Sequence, residues 1–328
     1  MQSVRVIFGG DVMLGRNVAE YIQRYGPSYP LGPVAPLMRS ADLTIVNLEC
    51  AITSSTDWWS GEAKAFYFGA PPQACESLVD AGIDMVSLAN NHILDFDFEG
   101  LRQTLQHLQR RGILYAGSGE NLRDAMAPAK IERKGITFGM VAFCDHQMDF
   151  AAEKARPGMA YIDLDDETRA LEIFENSLAP LRKDRIDWPI LSLHWGPNMV
   201  FRPSAAFRRI AHGAIDMGWK MLFGHSAHVF HGVEIYKGYP IIYAAGDLVD
   251  DYYVAPDFLN DHQLLLEIQL DSARIRYIRF HPVFIDECQT RPATPAQCGY
   301  TVDQMTALCK ELGSTVDYSS LNIRGKPH

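Results

Sequence analysis

Four short segments concentrate the side chains able to do chemistry: GGDVM around Asp11, LANNH ending at His92, LHWG containing His194, and GHSAH from His225 to His228. Each begins in or directly after an apolar run, and each offers a carboxylate, an amide or an imidazole. Carboxylates are hard oxygen ligands for divalent ions, and imidazole suits zinc, manganese and iron. His194, His225 and His228, together with Asp11 and the Asn91 carbonyl, supply a set for one or two such ions. Glu49, at the end of LTIVNLE, can ligate or bridge metals, and Asn47 can orient it or fill a coordination site.

Other residues have roles around such a centre. Asp11 follows two glycines, which let the backbone turn sharply and approach a ligand; an aspartate there can also cap the helix that starts near Leu14. The two amides and the imidazole of LANNH are costly to bury without partners. His92 is then the candidate proton donor, with Asp95 or Asp97 holding its ring in one tautomer; a turn of mutually satisfied polar groups is the alternative. Arg16 is the candidate anion clamp, since a guanidinium pairs bidentately with phosphate or carboxylate. Arg202, Arg208 and Arg209 read as a solvated helix face. His107, His212, His231 and His262 read as solvated or locally capped histidines. No P-loop, GxSxG elbow or Rossmann fingerprint is present, which makes attack by metal-activated water the economical mechanism.

The elements that must position these groups alternate. Val4–Phe8, Leu43–Val46, Met85–Leu88, Ile136–Phe143, Ile190–Leu193, Lys220–Phe223 and Ile241–Ala244 are short β-branched or aromatic runs with Gly, Pro or Asp borders, and read as buried strands. Leu101–Arg111, Glu167–Leu181 and Ala205–Met217 place apolar residues on one helical face. Strands alternating with helices predict βα units and helix-covered sheets, in which loops after the strands' carboxyl ends converge on one edge. Ser54–Gly69 (SSTDWWSGEAKAFYFG) has neither periodicity and reads as a long loop: a lid carrying Trp58 and Trp59, or a surface loop with its tryptophans pinned on the core. His146–Gly158 is a second irregular segment that can border the site. Leu264–Phe284 predicts two or three antiparallel strands. After Pro292 the composition shifts to Thr, Pro, Ala and Gln, with a short helix over Val302–Leu312. The expected division is a main domain over residues 1–286 and a C-terminal extension over 287–328.

A net charge of −10 argues against a nucleic-acid partner, which needs a basic face, and against adsorption to an anionic membrane. No run approaches the roughly 18 apolar residues that span a bilayer. The chain enters its first strand without a signal-peptide pattern, so a cytoplasmic location is expected. The six cysteines form no CxxC pair and read as buried free thiols, with Cys288 and Cys298 able to bridge only in an exported protein.

Taken in order, GDVMLGR, DLTIVNLE, AGIDMVSLANNHILD, the Thr104–Gly117 stretch, HWG, GHSAHV and GVEIYKGYPIIYAAGDL resemble the CapA/PgsA family linked to poly-γ-glutamate capsule biosynthesis. That family is similar to the calcineurin-type metallophosphoesterases. The likeness runs from about Val4 to Asp250. It implies an α/β fold, a four-layer α-β-β-α sandwich of two mixed sheets flanked by helices. It also implies Asp11, Glu49, Asn91, His194, His225 and His228 at a metal centre, with His92 beside the scissile bond. The chain departs from metallophosphoesterases at Met13, where they have histidine, at Glu49, where they have aspartate, and in its longer GHxxH. It departs from the CapA pattern at Asn198, at Ala227 and in the GDL of Gly246–Leu248, where GNF is usual. The resulting expectation is a hydrolase using one or two divalent ions (Mn, Zn or Fe) on a small-molecule or oligomeric anionic substrate, most simply a phosphoester. The alternatives are a non-hydrolytic accessory protein that binds an anionic polyamide such as poly-γ-glutamate, and a metal-dependent amide hydrolase.

Overall fold

In the computed structural model, which describes residues 2–325, VRVIFGGDV is buried from Val6 onward and forms the central strand β1 (Val4–Val12). Parallel to it run β2 (Leu43–Leu48), β3 (Met85–Ser87) and β4 (Leu114–Ala116) in succession. The second sheet takes β5 (Ala129–Arg133), β6 (Ile136–Cys144), β7 (Trp188–His194), β8 (Met221–His225), β9 (Val233–Tyr236) and β10 (Tyr239–Ile242), in the order β9-β10-β8-β7-β6-β5. The chain then returns to the first sheet. There β11 (Asp247–Val249) pairs in parallel with β1 beyond the end of β12 (His262–Leu270), which lies antiparallel to it; β13 (Ile275–Asp286) follows β12 as a hairpin. Both sheets are mixed.

The sheets face one another across a shared apolar core, in which Phe8 of β1 and Phe223 of β8 have ring centroids 5.1 Å apart. On the outer side of the first sheet lie α1 (Arg16–Tyr25), α2 (Cys75–Ala81) and α3 (Asp97–Arg110), which bury Val18, Ile22, Leu78, Leu101 and Leu108. Outside the second sheet lie α4 (Glu167–Lys183) and α5 (Ala205–Met217), packing Phe174, Leu178 and Ile210 against Leu191 and Leu193. This is the four-layer α-β-β-α sandwich. Each such side chain taken from water contributes about 1.5–3 kcal/mol.

Helix α3 starts four residues before the apolar stripe suggests, because its first turn is acidic (Asp97, Glu99) and is favoured by the helix N-terminus rather than by burial. The last helix, α6 (Pro295–Glu311), likewise begins well before Val302: Pro295 takes the first turn and the Thr294 N–H donates to Gln297 Oε1 at 2.9 Å. The residues after Asp286 build onto the first sheet. β14 (Gln289–Pro292) pairs with β13, and the hairpin of β15 (Thr315–Asp317) and β16 (Asn322–Arg324) adds to β13 through Ile278 and Ile323. Met305, Leu308 and Cys309 of α6 enter the main core. All six cysteines are free, five of them buried. No helix among the described residues is long and apolar enough to cross a membrane.

Candidate metal centre

Strand register sets the first half of the site. Asp11 on β1 is the register partner of Asn47 on β2 and of Asp247 on β11, so three polar side chains emerge at one level of the first sheet. The register slips between Phe8 and Asp11, and the glycine pair makes that slip feasible: a Cβ on Gly10 would sit 1.8 Å from the Gly246 carbonyl oxygen. The Asp11 N–H donates to that same carbonyl at 2.9 Å. In the second sheet His194 and His225 are register partners at the carboxyl ends of β7 and β8. The two halves meet across the gap between the sheets.

Donor atoms of Asp11, His194 and His225 all lie within 4.8 Å of one another, and so do those of Asp11, Glu49, His228 and Asp247. Asp11 belongs to both groups. Its Oδ1 accepts from Asn47 Nδ2 at 2.8 Å and lies 3.8 Å from His225 Nδ1; its Oδ2 accepts from the Ser226 N–H at 3.1 Å and lies 3.6 Å from His228 Nδ1. Glu49 Oε1 is 3.8 Å from His194 Nε2 and 3.9 Å from His92 Nε2. The GHSAH turn is bent to deliver its rings: Ser226 (φ 101°) and His228 (φ 59°) both take left-handed backbone, at a cost of about 1–3 kcal/mol each. Asn90 spends its amide on Asn47 Oδ1, the Leu48 carbonyl and the His92 N–H, leaving the Asn91 Oδ1 3.0 Å from His194 Nε2.

Asp247 was not nominated by sequence reasoning. It is fully buried, with Oδ1 2.9 Å from His228 Nδ1. The one available signal was its departure from the usual GNF. His146 also borders the site, edge-on to His194 at 5.8 Å and with Nε2 2.9 Å from the Gly196 carbonyl oxygen.

The donor set fits a divalent cation. Both Glu49 oxygens and Asp247 Oδ2 are buried with no hydrogen-bond partner, although buried polar atoms nearly always have one. Burial, and then the neighbouring Asp247 charge, pushes the Asp11 carboxyl up to about 7; burial and its acidic neighbours hold Glu49 well above the usual range, and burial does so for Asp247. Burial pushes His225 down to about 3, holds His194 well below the usual imidazole value and lowers His228. Neutral imidazoles are the ligand form, and a cation is what crowded buried carboxylates need to ionise. The ring nitrogens contact one another and their neighbours, Ser192 Oγ–His225 Nε2 at 2.9 Å, His225 Nδ1–His194 Nδ1 at 2.8 Å and His194 Nε2–Asn91 Oδ1 at 3.0 Å. Ligation through either ring would require it to give up one of these contacts. Methionine 13 turns its sulfur to its own backbone, 3.1 Å from the Gly15 nitrogen, and supplies no ligand.

His92 lies on the open side of this cluster. Its Nδ1 is 2.6 Å from Asp95 Oδ2, which also accepts the Phe68 N–H at 2.7 Å, and its ring stacks on Phe68 at 3.8 Å. Asp97, the other sequence candidate for holding the ring, instead accepts from the Phe98 N–H at the start of α3. Arg16 stands further out. Its Nε is 3.3 Å from Asp251 Oδ2 and its guanidinium carbon lies 5.7 Å from the Phe68 ring centre, so it reaches the site only at the rim. The Ser54–Gly69 loop wraps this side, but its tryptophans turn away. Trp58 is exposed and stacks on Tyr67, while Trp59 is pinned on Phe98 and Phe150 with its indole N–H on Asp149. Lys64 is the loop residue that enters. Of the histidines expected to be solvated or locally capped, His212 and His262 meet nearby carboxylates at 2.9 and 2.7 Å, whereas His231 is buried, its Nε2 on the Val200 carbonyl.

The fold and this cluster define an α-β-β-α protein with a carboxylate–imidazole cradle where the strands of both sheets end. Residues 5–252 match the family described as bacterial capsule synthesis protein PGA_cap, and the chain belongs to that family. A "Probable polyglutamine synthesis accessory protein" of Mycobacterium tuberculosis is 31% identical over 76% of this chain and 75% of its own length. The "Capsule biosynthesis protein CapA" of Bacillus anthracis and the "PGA biosynthesis protein CapA" of Bacillus subtilis are each 27% identical over 74% of the chain, which spans only 58% and 62% of their lengths. Among solved structures, a hypothetical protein from Thermus thermophilus superposes with a TM-score of 0.49 at 14% identity, covering 85% of this chain and 98% of its own. A 5'-nucleotidase precursor from the same organism superposes at 0.45 and 12%, covering 95% and 59%.

Proposed function

We propose that this protein hydrolyses a phosphoester with the aid of one or two divalent cations held by Asp11, Glu49, His194, His225, His228 and Asp247, with the Asn91 carbonyl beside His194. The observation that carries this reading is the set of partnerless buried oxygens on Glu49 and Asp247, packed around Asp11 and the three histidines. When bound, a divalent cation neutralises phosphoryl charge and lowers the pKa of water toward neutrality.

The side chains divide the remaining work. Asn47 and the Ser226 N–H hold the Asp11 carboxylate in place. Burial pushes His92 down to about 4, so its resting ring is neutral, with the Nδ1–H donating to Asp95 Oδ2 and a bare Nε2 facing Glu49. That nitrogen takes the proton that a hydrogen-phosphate group carries and returns it to the leaving oxygen, the general-acid role. Arg16 serves as the clamp for an anionic group at the rim, exchanging Asp251 for it. The bound metal is manganese, zinc or iron.

Elemental analysis of protein purified without chelator, followed by assay of the stripped and Mn²⁺-, Zn²⁺- or Fe²⁺-loaded protein on an aryl phosphate, tests the reading. Turnover should vanish with the metal and return with it. A His194→Ala variant that keeps full metal content and full activity refutes it. The names of the relatives support a second reading, an accessory protein that binds an anionic polyamide such as a γ-linked glutamate oligomer without turnover. Stoichiometric metal, oligomer binding and no hydrolysis across a phosphoester panel would establish that one, and release of amide-linked product would point to the same water acting on an amide.

A further inference from the structure

Lys64 is a buried ammonium on an otherwise aperiodic loop, its side chain 8% exposed. Nothing in its sequence surroundings marks it. Its Nζ donates to Asp95 Oδ1 and to the Asn91 carbonyl, stands 3.4 Å from His92 Nδ1, and lies 4.8 Å from the centre of the Phe150 ring. Three of these four groups, Asp95, the Asn91 carbonyl and the His92 ring, belong to the LANNH turn and the aspartate that follows it. The same loop fastens to the same residue twice more, the Trp59 N–H donating to the Asp95 carbonyl at 3.0 Å and the Phe68 N–H to its carboxylate at 2.7 Å.

We infer that Lys64 is a positioning residue for His92, acting through Asp95. Asp95 must spend Oδ2 on the imidazole Nδ1–H, and Lys64 makes this stable by engaging Oδ1 and balancing the charge of a carboxylate with no access to water. Among the described residues Oδ1 has no other side-chain or backbone donor. The ammonium beside Nδ1 also leaves Asp95 as the one acceptor for that nitrogen's proton. The ring is thereby fixed in the tautomer that bares Nε2 toward Glu49, and Phe68 from the same loop fixes its plane. Without Lys64 the carboxylate turns to find a donor and the imidazole loses both its tautomer and its aim.

The kinetic part of the test rests on the phosphoesterase reading, whereas the spectroscopic part does not. In long-range ¹H–¹⁵N spectra of the zinc-loaded protein, His92 should be a single neutral tautomer protonated at Nδ1. Lys64→Met should give a mixture of tautomers, and Lys64→Arg, which keeps the charge, should retain one. Lys64→Gln replaces the Met variant if that does not fold. On phosphomonoesters, Lys64→Met should slow kcat for an alkyl phosphate, whose leaving oxygen needs a proton, by about 100-fold, with 4-nitrophenyl phosphate and both KM values nearly unchanged. Metal content should stay at the wild-type level. A wild-type His92 protonated at Nε2, or equal loss on both substrates, overturns the assignment. Loss of metal in Lys64→Met also overturns it, because Lys64 would then be supporting Asn91 and the cradle. If no phosphoester is turned over, the phosphoesterase reading fails and the tautomers alone decide Lys64.

Discussion

Stripping the metal should make the stability of this protein fall with rising pH above about 6.5, in a way the loaded protein does not show. A carboxyl whose folded-state pKa is raised keeps a proton that the unfolded chain has shed, so its stabilising share declines as pH climbs from the unfolded value to the folded one. Asp11, pushed up to about 7, and Glu49 and Asp247, both well above the ordinary range, act in this direction. The histidines oppose them: with His92 near 4, His225 near 3, and His194 and His228 also lowered, stability rises with pH until the unfolded imidazoles lose their protons near 6.5. Above that point these four rings are neutral in both states, and the decline is left to the raised carboxyls, Asp250 among them by its burial, and to His146, which Asp145 holds above the usual imidazole value against the effect of burial. Each carboxyl that still holds its proton in the folded state lowers stability by ~1.4 kcal/mol per pH unit. An unfolding entropy of about 2.1 cal/mol/K per residue converts this to ~2 °C of Tm per unit and per such proton for a chain of 328 residues. Calorimetry of chelator-treated and metal-loaded protein at pH 6.5, 7.5 and 8.5 reads it directly. Parallel Tm curves for the two forms would refute the reasoning, since the carboxyls would then carry no proton for a cation to displace.

Three further outcomes follow from the geometry. Asp247→Asn should weaken metal binding by at least about 10-fold while raising the Tm of the stripped protein above pH 7, as titration calorimetry and thermal melts would show. Gly10→Ala should cost about 3 kcal/mol or more, because its Cβ meets a backbone carbonyl that cannot yield; denaturant unfolding measures this. Trp59→Ala should cost about 3–5 kcal/mol and Trp58→Ala under about 0.5, since only the first ring is buried.

Most strand and helix positions were legible because burial imposes a period. Ala205–Met217 has the bounds its apolar stripe gives, the strand at Ile136 runs one residue past its expected end to Cys144, and the strands at Val4, Leu43 and Ile190 extend the runs by one to four residues at their carboxyl ends to take in Asp11, Asn47 and His194. Elements without a one-sided apolar face were not legible at their edges: the acidic start of α3 and the polar start of α6 are set by end effects rather than by burial. His231 carries no mark in its sequence of the burial that the folded loops impose.

The sequence by itself determined which side chains stand at the carboxyl ends of strands, since a polar residue after an apolar run has its place fixed by the run. It thereby supplied Asp11, Glu49, Asn91, His92, His194, His225 and His228 as a list without mutual distances. Only the tertiary structure decided that Asp11 lies level with Asn47 and Asp247, that His194 lies level with His225, and that Arg16 stays at the rim. It also brought Lys64 from an unpatterned loop onto Asp95. The reason is physical: periodicity records which face of an element is buried, whereas register between strands and the path of a loop are fixed by pairing and packing between segments far apart in the chain.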